Sequence, residues 1–169
     1  MNAPLGTKDR PWRARISLLN GESSSTITAG SPVVLSASDN GSKVVLPATA
    51  GVTQSTSLFA GIAINSATPG NAVEVVGNGY VAKVKFVHRT RAASTDSFAS
   101  VAAMAVGNLL TIDTVNNGVA YSTVGAASLA VNAIVLMETI ASIASAASTT
   151  SNSALASTSM VKCWVRGLA

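Results

Sequence analysis

At 169 residues and a formal net charge of +4, the chain is long enough for one domain, or for two small halves sharing a core. Apolar residues make up 48% of it and charged residues only 11%, so a Val, Ile, Leu and Ala core sits beneath a surface of Ser, Thr, Asn and Gly that has little charge to oppose association. A single cysteine excludes an intramolecular disulfide framework, and the polar, charged stretch 1–15 lacks the apolar segment of a signal peptide.

Residues 1–25 read as an extended N-terminal arm, most clearly up to about residue 15, where Pro4, Gly6 and Pro11 oppose regular structure. Trp12 is the large apolar group there, flanked by Arg10, Arg13 and Arg15. It either folds back on its own domain or anchors the arm on a neighbour, Trp and Arg being residue types that dominate interface energetics. Strand signals follow at Thr26-Ile27-Thr28 and, after the Ala29-Gly30 turn, at Val33-Val34-Leu35. Asp39-Asn40-Gly41 predicts a tight turn into Lys43-Val44-Val45-Leu46. The nearly continuous apolar run Leu58 to Ile64 predicts a strand buried on both faces.

Ala67-Thr68-Pro69-Gly70 predicts a turn into a strand over 72–76, and Asn78-Gly79 a second hairpin turn. In the alternating strand Tyr80 to Val87, Val84 and Phe86 point one way and Lys83 and Lys85 the other. The pattern blurs over 90–104, where Phe98, Val101, Ala102 and Met104 fit one short linking helix. Strand signals resume at Asn108 to Asp113, with a turn at Asn116-Asn117-Gly118 and a strand at Val119-Ala120-Tyr121. A strand within 129–140 and a closing strand from Met160 to Arg166 complete the pattern, separated by an Ala/Ser/Thr-rich insert at 141–159. That insert occupies the hairpin position filled by Thr68-Pro69-Gly70 in the first half, either as a solvated linker or as a flexible loop or extended β-hairpin lying on a neighbour.

The second half thus repeats the first: a glycine turn, a short strand, its partner, a buried run and an alternating strand. The expected architecture is all-β, a small β-barrel or β-tulip-like domain built from two imperfect β repeats with at most one short helix. Its β domain spans 26–169, with a first half at 26–89, a linker at 90–104 and a second half at 105–169. Reactive groups are sparse. His88 stands alone at the end of a basic strand, no Cys or His pair has zinc-ligand spacing, and Asp39, Asp96 and Asp113 sit singly near turns. Neither catalysis, a metal nor another cofactor is expected. The basic clusters Lys8, Arg10, Arg13, Arg15 and Lys83, Lys85, Arg89, Arg91 lack interleaved aromatics, so direct nucleic-acid binding is not expected. The uncharged stretches 114–137 and 139–161 are broken by Asn, Gly and Ser/Thr and do not read as membrane spans.

Four segments together resemble tailed-phage capsid decoration (cement) proteins: Ala29-Gly30-Ser31-Pro32-Val33-Val34-Leu35, Phe59-Ala60-Gly61-Ile62-Ala63-Ile64-Asn65, Gly70-Asn71-Ala72-Val73-Glu74-Val75-Val76 and Gly79-Tyr80-Val81. Val106-Gly107-Asn108-Leu109-Leu110, Met137-Glu138 and Val161 to Val165 are similar to that family's closing strands. The resemblance is close over about 26–87 and loose over 105–167, and the insert and linker depart from the family pattern. It implies a virion protein, made in the host cytoplasm, on the outer surface of the capsid. It would bridge neighbouring capsomers, with the major capsid protein as partner and self-association as a trimer or dimer. Residues expected to contact a partner are Trp12, Arg10, Arg13, Arg15, Arg89 and Arg91. The alternative is a phage tail or head-fibre β module that binds host glycans or another virion protein.

Overall fold

The computed structural model describes residues 13–48, 59–91, 96–97, 104–113, 117–122, 133–140 and 158–166. They form β1 (Arg13–Asn20), β2 (Pro32–Leu35), β3 (Lys43–Val45), β4 (Phe59–Ala63), β5 (Ala72–Arg91), β6 (Asp96–Ser97), β7 (Leu109–Asp113), β8 (Gly118–Ser122), β9 (Ala133–Leu136) and β10 (Thr158–Arg166). Among the described residues there is no α-helix, only a 3-10 turn at Ala37–Asp39. Sheet order is β1-β3-β2-β4-β5-β10-β9-β7-β8, and two further pairings, β1 with β5 and β5 with β8, close it twice. One ring is β1-β3-β2-β4-β5 and the other is the five-stranded barrel β5-β10-β9-β7-β8. The 20-residue β5 belongs to both.

The hydrogen bonds of the two halves repeat. Gly30 N donates to Ala63 O at 2.7 Å and Gly107 N to Leu136 O at 2.8 Å, and both glycines hold a positive φ, 90° and 95°. One residue on, Ser31 N reaches back to Thr28 O and Asn108 N to Ala105 O, both at 3.1 Å. The bridge Ile27–Ala67 has its counterpart in Met104–Ile140. Asn65 Oδ1 accepts the Glu74 amide at 2.7 Å, and Glu138 Oε1 accepts the Lys162 amide at 2.7 Å. Each ring contains one parallel pairing, β1 with β3 or β5 with β8. The latter half of β5 therefore plays in the second barrel the part that β1 plays in the first ring.

Two apolar cores follow. Ile27, Val33, Val44, Ala60, Ala63, Val73 and Val75 pack together in the first ring. Phe86, Leu110, Ile112, Val119, Ile134, Leu136, Val161, Cys163 and Val165 fill the second barrel and take in Phe59 and Ile62 from β4. All five residues of β4 are buried, as its unbroken apolar run predicts, because each face looks into a different core. Register shifts opposite Val33 and Val34, which pair with Gly61 and Phe59, leaving Ala60 as the extra residue of a bulge. Gly61 then lies so close to β5 that a Cβ there would stand 2.2 Å from Val76 O.

Several expectations are corrected. Asn78-Gly79 is not a hairpin turn: β5 runs through it without reversing, and Gly79 takes a φ of 118° inside the strand. Both neighbouring residues are already paired along one edge to β1 and along the other to β10, which outweighs the local turn preference. The N-terminal arm expected over 1–25 contains a sheet strand, since β1 pairs with β5 from Arg13 opposite Gly79 to Leu19 opposite Ala72. β5 also continues to Arg91, past the expected end of the first half, so the two halves share a strand. The loop at Asp39-Asn40-Gly41 is longer than a two-residue hairpin, with a 3-10 turn followed by left-handed Asn40 at φ 50°. The expected linking helix falls mostly on residues outside the described set; Met104, at its end, is extended and bridged to Ile140. The insert over 141–157 also lies outside the described residues, and Thr158 and Ser159 open β10.

Asn20 ties the corner where the first ring closes. Its side-chain amide donates to Ala67 O at 2.8 Å and Ser25 O at 3.1 Å, and its Oδ1 accepts from Glu22 N at 2.9 Å. Glu22, itself buried, accepts the Leu46 amide at 2.7 Å. Asn20→Ala strips several buried groups of their partner at once and is expected to cost about 3 kcal/mol. Thermal unfolding should register this as a fall of roughly 10 °C in Tm.

Candidate partner-binding surface

Of the residues expected to bind a partner, those that are described lie at separate places along β5. Arg10 and Trp12 lie outside the described residues. Arg13 opens β1 opposite Gly79. Arg15 is exposed and pairs with Glu74, 3.7 Å away. Arg89 and Arg91 lie at the far end of β5, where Arg91 is in register with Asp96 on one edge and Ser122 on the other. At the rise of an extended chain, the twelve steps from Gly79 to Arg91 cover about 40 Å along the strand. The two arginine groups thus belong to different ends of the molecule.

The outer face of the second barrel does gather a surface. Strand alternation buries Val161, Cys163 and Val165 on β10 and turns Met160, Lys162, Trp164 and Arg166 outward. Trp164, 40% exposed, stands opposite Tyr80 on β5 and Val135 on β9, and Val135 stands opposite Leu109 on β7. Leu109, Val135, Trp164 and Tyr80 therefore form one row across four strands, all at least partly exposed. Met160, 54% exposed, stands opposite Lys85. A bulge between Val161 and Cys163, opposite Val84 and Val81, puts one extra residue on β5, so that Ala82 and Lys83 are both exposed. Lys162 reaches Glu138, 3.6 Å away. Trp164 is absent from the residues expected at an interface, yet one signal could have found it. Cys163 reads as a buried thiol in an alternating strand, so its neighbour has to face outward.

Among the described residues no three His, Cys, Asp or Glu side chains are grouped to hold a metal ion. Lys43 at 2.8 Å and the Ser36 hydroxyl at 2.6 Å hold the Asp39 carboxylate below its ordinary range, which secures the β2–β3 loop. Burial pushes the Cys163 thiol up to about 12, and the nearby Glu138 carboxylate adds to the shift. The thiol of an unfolded chain ionises near ~8.5. The neutral thiol's contribution to stability is therefore whole below that value and is lost as pH rises from there toward 12. Cys163 is expected to resist iodoacetamide at pH 8 in the native protein and to react once the chain is unfolded in guanidinium. Cys163→Ala should show a shallower fall in urea midpoint than the native chain across the alkaline range.

No helix among the described residues is long and apolar enough to cross a membrane. In comparisons with known proteins, no family model and no curated protein sequence matches the chain.

Proposed function

We propose that the chain is a structural virion protein that binds the outer surface of a tailed-phage capsid and bridges neighbouring capsomers to stabilise the DNA-filled head. The observation that carries this reading is the set of large apolar side chains left exposed on closed barrels: Ile16, Leu19, Val106, Met137, Met160 and Trp164. Scattered apolar side chains are ordinary on a protein surface, but Met137, Met160 and Trp164 gather around β10, and such a grouping favours a surface meant to be covered. The resemblance of the glycine-turn and strand segments to decoration proteins supplies the identity of the covering partner, the major capsid protein. Dimers or trimers on the lattice fit the same reading. Many copies on one shell convert modest contacts into tight overall binding, with no catalysis or cofactor required.

The test is the copy number of the chain in purified particles of the phage that encodes it, by quantitative mass spectrometry against the major capsid protein. Hundreds of copies, near the capsid protein's own number, are expected. A handful would move the chain to a tail or head-fibre position, and complete absence would reject a virion role.

A further inference from the structure

We propose that the outer face of β5 and β10 around Trp164 is the docking surface for an acidic, apolar-bearing patch on a different protein. The partner's identity as capsid protein rests on the function proposed above; the chemistry of the surface does not.

The face combines two features. The first is the row Leu109, Val135, Trp164 and Tyr80, with Met137 following β9 and Met160 further along β10. A partly exposed Trp flanked by Tyr80 and Val135 has the make-up of an interface anchor. The second is charge. Lys83, Lys162 and Arg166 are exposed on this face, and among the described residues Glu138 is the carboxylate paired there, with Lys162. Lys83 and Arg166 have no carboxylate partner among the described residues. The bulge on β5 is what brings Lys83 onto the same face as Lys162.

Charge also selects the occupant. A second copy meeting this face with its own would oppose like charges. Of its other acids whose side chains are described, Asp39 is paired with Lys43 and Glu74 with Arg15, while Glu22 and Asp113 are buried. Among the described side chains no free acid answers this face, so a different molecule with surplus acid is the better complement. Nucleic acid would supply charge and could stack on Trp164 and Tyr80, but it would leave the aliphatic Leu109, Val135, Met137 and Met160 without a purpose. An acidic protein surface carrying an apolar or aromatic projection satisfies both features.

The test has two arms, with the full chain in each. In the first, Trp12→Phe leaves Trp164 as the sole tryptophan, and its emission is followed, excited at the red edge, against poly(Glu,Tyr) and separately against a thymidine oligonucleotide. Poly(Glu,Tyr) should change the emission at low salt. The response should vanish at roughly 0.5 M NaCl, where screening is nearly complete. It should also vanish in Lys83→Glu/Arg166→Glu. No response to the copolymer, or a tighter response to the oligonucleotide, overturns the proposal. In the second arm, heads assembled without the chain are refilled with purified variants. Trp164→Ala should bind about 30-fold more weakly while the melting temperature falls by only a few degrees, the side chain being partly exposed and its cross-strand contacts modest. Wild-type filling matched by Trp164→Ala and by the charge-reversed variant overturns the proposal. If the wild-type chain does not bind heads, it is the capsid reading that fails, and the emission arm alone decides the surface.

Discussion

Gly61→Ala is expected to abolish folding or to lower the melting temperature by 10 °C or more, although it adds a single methyl group. A Cβ at this position would lie 2.2 Å from Val76 O and 2.7 Å from Val76 C, and those atoms are backbone. They cannot turn aside as a flexible side chain would. Val76 is itself paired with Ile62 on β4 and Arg15 on β1, so moving it disturbs both edges of β5. Gly61 also holds a φ of 144°, which side-chain-bearing residues rarely adopt. A cost of about 4 kcal/mol is a large part of the ~5–15 kcal/mol that holds a domain folded. Gly107→Ala is the control: its φ of 95° is also strained, but a Cβ there meets nothing within 4 Å. It should lose only about 1–2 kcal/mol. Equal losses in urea titrations of the two variants would show that backbone conformation, not the approach to β5, sets the cost at Gly61.

Two truncations are expected to part company sharply. A chain beginning at Arg13 keeps β1 and should retain a native circular dichroism spectrum and a cooperative melt. A chain beginning at Gly21 loses the whole β1–β5 ladder, the parallel pairing of Leu19 and Asn20 with Lys43 and Val44, and the Asn20 side-chain bonds. It leaves that edge of β5 open beside Val73 and Val75, and it should be insoluble or bind hydrophobic dyes. The same pair separates folding from anchorage. If Arg10 and Trp12 help fasten the protein to the head, the Arg13 chain should be folded yet leave heads largely empty. Native occupancy by that chain would remove the arm from the binding account.

The repeat was legible from the sequence because it is written in local signals: glycine turns, alternation from Tyr80 to Val87 and the apolar run of β4. The interruption at Asn78-Gly79 was misleading because Asn-Gly favours reversal only where the flanking edges are unpaired, and here they are held by strands distant in sequence. β1 was hidden for a related reason. Arg15, Ile16 and Ser17 are all exposed, so no burial alternation marks the strand, and its membership comes from pairing with β5. The candidate surface was half legible. The outward direction of Trp164 follows from the burial of Cys163, but its alignment with Tyr80, Val135 and Leu109 depends on register across four strands. Strand periodicity sets which face a residue takes, not which distant residue stands beside it.

The sharing of β5 has a mechanical consequence. Two barrels joined by a linker would swing independently, and a pull on one would reach the other through a single flexible tether. Here tension applied at one end passes along one backbone clamped on both edges, by β1 and β4 and then by β10 and β8. A pull along the strand loads those ladders in shear, many bonds together, rather than peeling them one by one. The molecule is thus built as a stiff strut, and its two ends should yield together under load.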